Sequence, residues 1–183
     1  MTEEIKPNTQ AAPEADASKE RRGGRKPNRE RRDTREPRVK PEFDQKIISI
    51  RRVTRVVTGG RRFSFSVAVV VGDRKGKVGV GQGKATDTPL AIDKAARDAK
   101  KNMIKIPLTK NHSIPHEVFA KFSGSQVSIM RAPGKGILAG SSVRTVLELA
   151  GVKEVGSKLF SRSKNKVNNA KAAIKALSQL RAK

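Results

Sequence analysis

The stretch that decides the fold is residues 56–85, which read VVTGGRRFSFSVAVVVGDRKGKVGVGQGKA. In its centre, residues 63–71 alternate in side-chain size and polarity, a pattern typical of a strand with one buried face. The apolar positions of that face are Phe63, Phe65, Val67, Val69 and Val71. We expect all of them, including both phenylalanines, to belong to the core.

Turn signals stand on both sides of this strand. Residues 46–57 are rich in β-branched side chains, and Gly59-Gly60 separates them from the central strand. Glycine adopts the positive φ that tight hairpin turns require, so this pair predicts a β-hairpin. A second turn at 72–76 and a third strand at 77–81 complete a predicted three-stranded antiparallel meander.

The pattern then changes to helical spacing over residues 88–104, with Thr86 or Thr88 as the expected N-cap and Pro89 in the first turn. The apolar side of this helix comprises Ala91, Ile92, Ala95, Ala96, Ala99 and Met103, and the basic side comprises Lys94, Arg97, Lys101 and Lys105. The apolar side should pack on the sheet and the basic side should remain exposed. A short strand at 105–109 would follow this β-β-β-α unit.

The second half begins after a proline-bounded connection at 107–115. A hairpin is predicted over 116–122 and 125–131, followed by the glycine-rich loop APGKGILAG at 132–140. The remaining predictions are a helix at 142–150 with Ser141 as N-cap, a strand at 152–160 and a final helix at 164–181. Its predicted apolar stripe comprises Val167, Ala170, Ala173, Ile174, Leu177 and Leu180. We place domains at 42–109 and 116–183, with a linker at 110–115.

The charge of the chain restricts what it does. The 183 residues include 41 Lys and Arg against 17 Asp and Glu, a formal net charge of +24. Such a charge opposes compaction and implies a polyanionic partner, although a basic protein without a dedicated partner is the alternative. With no cysteine and only two histidines, the usual zinc ligands and catalytic nucleophiles are nearly absent. We therefore expect no enzyme activity, no metal and no cofactor.

Residues 1–41 are predicted to be a disordered tail because they offer almost nothing to bury. Residues 21–40 carry ten basic and three acidic side chains, a composition found both in RNA-binding arms and in solubilising tails. The acidic start, Met1-Thr2-Glu3-Glu4, is unlike a signal or transit peptide, and no apolar run reaches the roughly 18 residues of a membrane span. We expect a cytoplasmic protein.

Two glycine-rich segments resemble phosphate-binding loops. Residues 79–85, GVGQGKA, lack both the first glycine and the Ser or Thr of a nucleotide-binding loop, so strand glycines that allow close backbone packing are the favoured interpretation. A contact between Lys84 and RNA phosphate stays open. Residues 133–142 lead glycines into a helix N-terminus and resemble a kinase loop, but no catalytic acid accompanies them. His112 and His116 are separated by Pro115 and are interpreted as solvated linker residues.

The strongest functional signal is the basic hairpin. Arginines lie on both of its strands and next to a glycine tip that has no side chains to obstruct insertion into a groove, and guanidinium groups pair well with phosphate. A solvated charged hairpin is the alternative interpretation. The predicted RNA-binding residues are Arg51, Arg52, Arg55, Thr58, Gly59, Gly60, Arg61, Arg62, Lys75, Lys77, Lys84, Lys94, Arg97, Lys101 and Lys105.

Aromatic residues are few. The six phenylalanines are the only aromatic side chains of the chain, which has no Trp and no Tyr. The sequence shows no base-stacking platform of the kind that RNA-recognition motifs use. Recognition of RNA is therefore expected through the backbone, through shape and through charge.

These residues resemble the family of small-subunit ribosomal protein five, of the bacterial type. The similarity is carried by residues 56–85, by IKIPL at 104–108 and by GKGILAGSSVRTVLELAGV at 134–152, in the family's order and spacing. It covers roughly residues 42–182. Within it, Ser141 replaces a family glycine, and residues 163–168 lack the family's proline.

The resemblance implies an α+β fold, with an N-terminal domain like that of double-stranded-RNA-binding proteins and a C-terminal α/β domain. It implies binding to 16S ribosomal RNA where head, body and platform meet, near the mRNA entry side, with roles in assembly and accuracy. Proteins four and eight of the small subunit would be neighbours. The spectinomycin loop would correspond to Thr58, Gly59, Gly60 and Arg61, and the protein-four surface to Gly136 and Arg144. A free regulatory or chaperone-like RNA-binding module is the alternative.

Overall fold

The computed structural model describes residues 42–181, so the predicted tail at 1–41 lies outside the described residues. The first half forms a four-stranded antiparallel sheet in the order β1-β2-β3-β4 with one helix. Its elements are β1 (Asp44–Val57), β2 (Gly60–Gly72), β3 (Lys77–Ala85), α1 (Thr88–Lys101) and β4 (Ile104–Lys105). The predicted meander and the helix that follows it are confirmed.

Strand β3 is longer than predicted and carries the glycines that hold α1. It continues to Ala85, so that Gly83 and Lys84 belong to the strand. Three of its glycines face three buried alanines of α1, and a Cβ on any of these glycines would collide with helix backbone atoms. The glycines are Gly79, Gly81 and Gly83, and the alanines are Ala91, Ala95 and Ala99. The structural interpretation of the GVGQGKA segment is therefore confirmed.

The second half forms another four-stranded sheet, in the order β5-β6-β8-β7, with two helices. Its elements are β5 (Val118–Phe122), β6 (Ser125–Arg131), β7 (Ile137–Leu138), α2 (Ser141–Ala150), β8 (Val155–Leu159) and α3 (Lys166–Ser178). Strand β7 pairs in parallel with β8 and was predicted only as loop. A strand of two residues is too short to show a periodic pattern in the sequence. It is recognisable only from its pairing with β8.

Helix starts differ from the predicted caps. Asp87 precedes α1 with an extended backbone and Gly140 precedes α2 in the same way, so neither Thr86, Thr88 nor Ser141 is the N-cap. The Gly140 carbonyl oxygen accepts the Arg144 N–H at 2.7 Å. This bond forms the first turn of α2, with Gly140 as the N-cap residue. Helix α3 begins after Asn165, whose side chain accepts the Val167 N–H at 3.2 Å, two residues later than predicted.

The buried core runs through both halves of the described chain. Val70 and Val80 of the first sheet share one cluster with Ile129, Val146 and Leu177 of the second half. The apolar stripe predicted for α3 is present, but additional buried alanines make its buried surface wider than predicted. None of the helices between residues 42 and 181 is long and apolar enough to cross a membrane.

The turn between β2 and β3 packs against the end of α2. The Arg74 N–H donates to the Leu149 carbonyl oxygen at 2.9 Å, and the Gly76 N–H donates to the Ala150 carbonyl oxygen at 3.0 Å. These bonds satisfy carbonyls that a helix C-terminus leaves without an intrahelical partner. They also fix the two halves against each other. The predicted connection at 110–115 carries the buried Ile114, and the domain boundaries stay a prediction.

Candidate nucleic-acid interface

The β1–β2 hairpin extends beyond the rest of the first sheet. The last pair between β2 and β3 joins Phe65 and Ala85, while β1 and β2 remain paired up to Val57 and Gly60. With about 3.3 Å per strand residue, the hairpin protrudes by roughly 17 Å. Gly60 has a φ of +121°, and a Cβ built on Gly59 or Gly60 would meet nothing within 4 Å. The tip is therefore narrow and open on all sides.

One face of the hairpin collects four of the predicted cations. Arg55 and Arg62 lie directly opposite each other. The pair Val53 and Ser64 comes next on the same face, and the row after it runs from Arg51 through Ser66 to Lys84 of β3. The cations of this face are exposed. Directly opposed like charges destabilise a strand pair, so a polyanion bound here would relieve their repulsion.

The other face of the hairpin carries Arg61, Arg52 and Phe63. The Arg52 guanidinium lies over the Phe63 ring at 4.6 Å from the centroid, within the range of a cation–π contact. Phe63 is 47% exposed, so the prediction that it belongs to the core is wrong. It lies on the protruding part of the hairpin, beyond the last residue that β3 pairs with. By contrast, Phe65 is partly buried and packs against the core.

The remaining predicted cations occupy two further places. Lys94, Arg97 and Lys101 are exposed on α1, as expected from the helical spacing. Lys77 and Lys105 pair across β3 and β4 at the opposite end of the sheet from the hairpin tip. Lys105 therefore belongs to a strand and not to the basic side of the helix, and Lys75 lies in the neighbouring turn. The structure does not gather all predicted cations into one patch.

The second glycine-rich segment leads into α2 as predicted. Gly134 and Gly136 adopt positive φ in an open loop, and Gly140 caps the helix. Within α2, the Arg144 Nε donates to the Glu148 carboxylate at 2.8 Å. The family resemblance assigns Arg144 to the surface that faces protein four. In this structure its guanidinium forms an ion pair within α2.

Glu148 also connects α2 to the first strand. The hydrogen bond from Arg144 lowers the pKa of this carboxyl, against an opposing effect of burial, and Lys46 of β1 adds to the lowering from 3.3 Å. The carboxylate is thereby held in its charged form between two cations. This ion-pair network joins the two halves of the fold.

No metal-binding constellation is found in the part of the chain that the structure describes. In this region, no three His, Cys, Asp or Glu side chains are placed to hold an ion. His112 is exposed with a φ of 53°, and His116 is half-buried. The two histidines share no helix, as the intervening proline predicted.

An exposed pair of aromatic rings was missed in the sequence. Phe119 of β5 and Phe160, directly after β8, are 53% and 57% exposed, with ring centroids 6.2 Å apart. Both side chains lie on the face of the second sheet that α2 and α3 do not cover. The alternation of β5, in which Val118 and Ala120 are buried, was the signal that could have placed Phe119 outside.

The geometry defines a class of protein: two α+β halves, a protruding arginine hairpin and exposed cations on the first helix. Residues 43–107 match the family described as ribosomal protein S5, N-terminal domain, and residues 120–183 match ribosomal protein S5, C-terminal domain. The chain belongs to this ribosomal protein S5 family. Both the fold class and the family resemblance are thereby confirmed, and the family is one of ribosomal proteins and not of enzymes.

Curated relatives agree with this assignment. Proteins named "Small ribosomal subunit protein uS5" from Mycoplasmopsis agalactiae and Mycoplasma mobile are each 52% identical over 141 residues, or 76% of this chain. The one from Chloroflexus aurantiacus is 49% identical over 147 residues, covering 78% of this chain and 82% of the relative. The matches span 61% and 58% of the two mycoplasma proteins, so the chain covers about three fifths of their length.

Proposed function

We propose that this protein is a structural component of the small ribosomal subunit and binds 16S ribosomal RNA. The observation that carries the proposal is the β1–β2 hairpin. It extends beyond its own sheet and ends in a tip without bulky side chains. Arginines are exposed on both of its faces. Family membership supports the ribosomal setting, and the net charge of +24 supports a polyanionic partner.

The hairpin suits recognition of RNA shape and backbone. Every charged side chain of its protruding part, residues 53–64, is an arginine, and guanidinium groups pair bidentately with phosphate oxygens. One face of the Phe63 ring is covered by the Arg52 guanidinium. The hairpin therefore acts as a positively charged wedge between RNA helices, and the proposal assigns Arg51, Arg55 and Arg62 to phosphate contacts on one face.

The position in the subunit follows the family resemblance. The protein would lie where head, body and platform meet, near the mRNA entry side, next to proteins four and eight. Residues 58–61 would form the loop linked to spectinomycin sensitivity, and Gly136 and Arg144 would face protein four. Their exposure supports these roles. The protein would act in the cytoplasm, in subunit assembly and in translational accuracy.

Sedimentation tests the ribosomal setting. Cell lysate is resolved on a sucrose gradient in moderate salt, and the protein is followed by immunoblot. Nearly all copies should sediment with small subunits and with whole ribosomes. A predominantly free pool would support a regulatory or chaperone-like RNA-binding module instead.

Binding to 16S ribosomal RNA at several salt concentrations tests the hairpin. Replacing Arg61 and Arg62 by Ala should weaken binding and lower the slope of log affinity against log salt by about one unit per lost phosphate contact. The control variant, Lys110→Ala with Lys153→Ala, removes two exposed charges elsewhere and should leave the slope unchanged. An unchanged slope in the hairpin variant would show that the tip does not contact phosphate.

A further inference from the structure

The second sheet has one face that no element between residues 42 and 181 covers. Its inner positions, such as Val127 and Ile129, are fully buried against the helices, and α3 packs on β5 and β6. The alternating positions point to the other side. We call the surface formed by these positions the open face, and it comprises Phe119, Lys121, Gln126, Ser128, Lys158 and Phe160.

Two aromatic rings stand together on the open face. Phe119 lies opposite Ser128, and the Phe160 N–H donates to the Gln126 carbonyl oxygen at 3.1 Å, so both rings project over the central strand β6. Their planes are inclined by 58°, and more than half of each side chain is exposed. A phenylalanine side chain cannot form hydrogen bonds with water, so its exposure to solvent is unfavourable. Two neighbouring exposed rings therefore indicate a contact surface.

Cations surround these rings. Lys121 pairs across the strands with Gln126, and Lys158 pairs with Ser128, so one lysine lies beside each ring on the same sheet face. Arg162 and Lys164 follow Phe160 in the exposed segment before α3. The ion pairs found in the described region involve none of these four residues. Glu117, one residue before β5, is the exposed carboxylate nearest to the rings in sequence.

We propose that the open face binds a single-stranded segment of RNA, with unpaired bases stacked on Phe119 and Phe160. Stacking on aromatic side chains is how open sheets hold unpaired bases, and lysines beside them neutralise the phosphates. Ser128 and Gln126 belong to β6, the strand over which the rings project, and their half-buried hydroxyl and amide groups are available to base edges. The ligand class rests on the proposed RNA-binding function, but the residues are separate from the hairpin.

The arrangement favours RNA over a protein partner. The centre of a protein–protein interface is depleted of charged residues. On the open face, Lys158 lies in the same cross-strand row as Phe119, and Lys121 lies in the same row as Phe160. A single strand of RNA combines flat bases with phosphates, so a surface of rings flanked by lysines suits it.

The composition of the chain provides a local test. Since the chain has no Trp and no Tyr, the variant Phe160→Trp places the only indole of the full-length protein on the open face. A ten-nucleotide oligoadenylate is titrated into this variant at moderate salt while tryptophan emission is measured. Stacking should quench the emission saturably. A blunt RNA duplex of the same length, whose bases are already stacked, should bind without comparable quenching.

Affinity measurements separate stacking from simple apolar contact. The double variant Phe119→Leu with Phe160→Leu retains apolar side chains but removes both aromatic faces. Because each stacked base contributes about 1–3 kcal/mol, its affinity for the oligoadenylate should fall by roughly tenfold or more. Its affinity for the duplex should stay the same. Both positions are exposed, and circular dichroism checks that the double variant folds. If it does not fold, the emission of Phe160→Trp decides whether bases stack on the open face.

The outcomes distinguish this inference from the proposed function. Emission that does not change at saturating oligoadenylate overturns the stacking surface, and so does equal affinity of the folded leucine variant. If duplex RNA still binds in that case, only the open face is excluded as an RNA site, and protein docking becomes its explanation. If neither RNA binds to the protein, the proposed RNA-binding function fails as well.

Discussion

Gly81 of β3 lies directly against the backbone of Ala99 in α1. A Cβ at Gly81 would overlap the Ala99 amide nitrogen and the Ala95 carbonyl oxygen. Helix and sheet therefore approach each other more closely here than any side chain on the strand would permit. This contact fixes α1 on the sheet, and with it the orientation of the basic side chains on the outer surface of the helix.

Replacing Gly81 by Ala should strongly destabilise the protein. Because the obstructing atoms are backbone and cannot rotate away, α1 must shift, and the free energy of unfolding should fall by about 2–3 kcal/mol. The matched control is Gly124→Ala, where a Cβ meets nothing within 4 Å and φ is not positive. Chemical denaturation measures both variants. Equal stabilities would show that α1 does not rest on the glycine.

A second glycine holds the two halves of the fold together. Gly151 ends α2 with a φ of +79°, and a Cβ there would also overlap the Arg74 carbonyl group. Gly151→Ala should therefore be more destabilising than Gly134→Ala, whose φ of +73° is similar but whose surroundings are open. The left-handed conformation accounts for about 1–2 kcal/mol in both variants, and the collision adds to it only at Gly151. Thermal unfolding followed by circular dichroism compares them, and equal losses would exclude the collision.

The sequence predicted elements whose periodicity reflects local burial. The alternation at the start of 63–71 predicted β2, and the spacing of Ala91, Ala95 and Ala99 predicted which side of α1 is buried. The expectation of a single buried face was wrong from Val67 onward, because α1 covers one face of the strand there and the second half of the chain covers the other. The failure at Phe63 has a physical reason. Alternation shows which face of the strand a side chain occupies, but it does not show how far the covering helix extends along that strand.

Non-local pairing was not predictable in the same way. Strand β7 has two residues and pairs in parallel with β8, which begins 17 positions after β7 ends. The rings of Phe119 and Phe160 meet because β5 and β8 flank β6, an order that no local pattern contains. The arginine hairpin was predictable because its strands, its tip and its charges lie within one continuous segment.

The ion-pair network around Glu148 should make stability depend on pH. Since folding lowers the pKa of this carboxyl below its ordinary value of 4.5, its stabilising contribution is complete above that value and disappears as the pH falls through the folded-state pKa. Comparing the native chain with Glu148→Gln isolates it. The difference in unfolding free energy should be below about 1 kcal/mol at neutral pH, because the side chain is partly exposed.

Two further conditions check the Glu148 prediction. The difference between the two proteins should vanish in acid, and added salt should reduce it, because screening weakens partly exposed ion pairs. Denaturant unfolding at several pH values and salt concentrations measures both effects. A difference that persists unchanged in acid would mean that Glu148 acts through packing and not through its charge.

The basic side of α1 makes a separate prediction about RNA. Lys94 and Lys101 are exposed on the helix and lie away from the hairpin tip, so their contribution to binding should be independent of Arg61 and Arg62. Replacing both lysines by Ala should lower the salt slope for 16S ribosomal RNA by up to about two units. The helix should not be weakened, since Ala is the strongest helix former. If the slope stays at the native value while the hairpin variant lowers it, the helix faces solvent, and the hairpin is the main RNA contact of the first half.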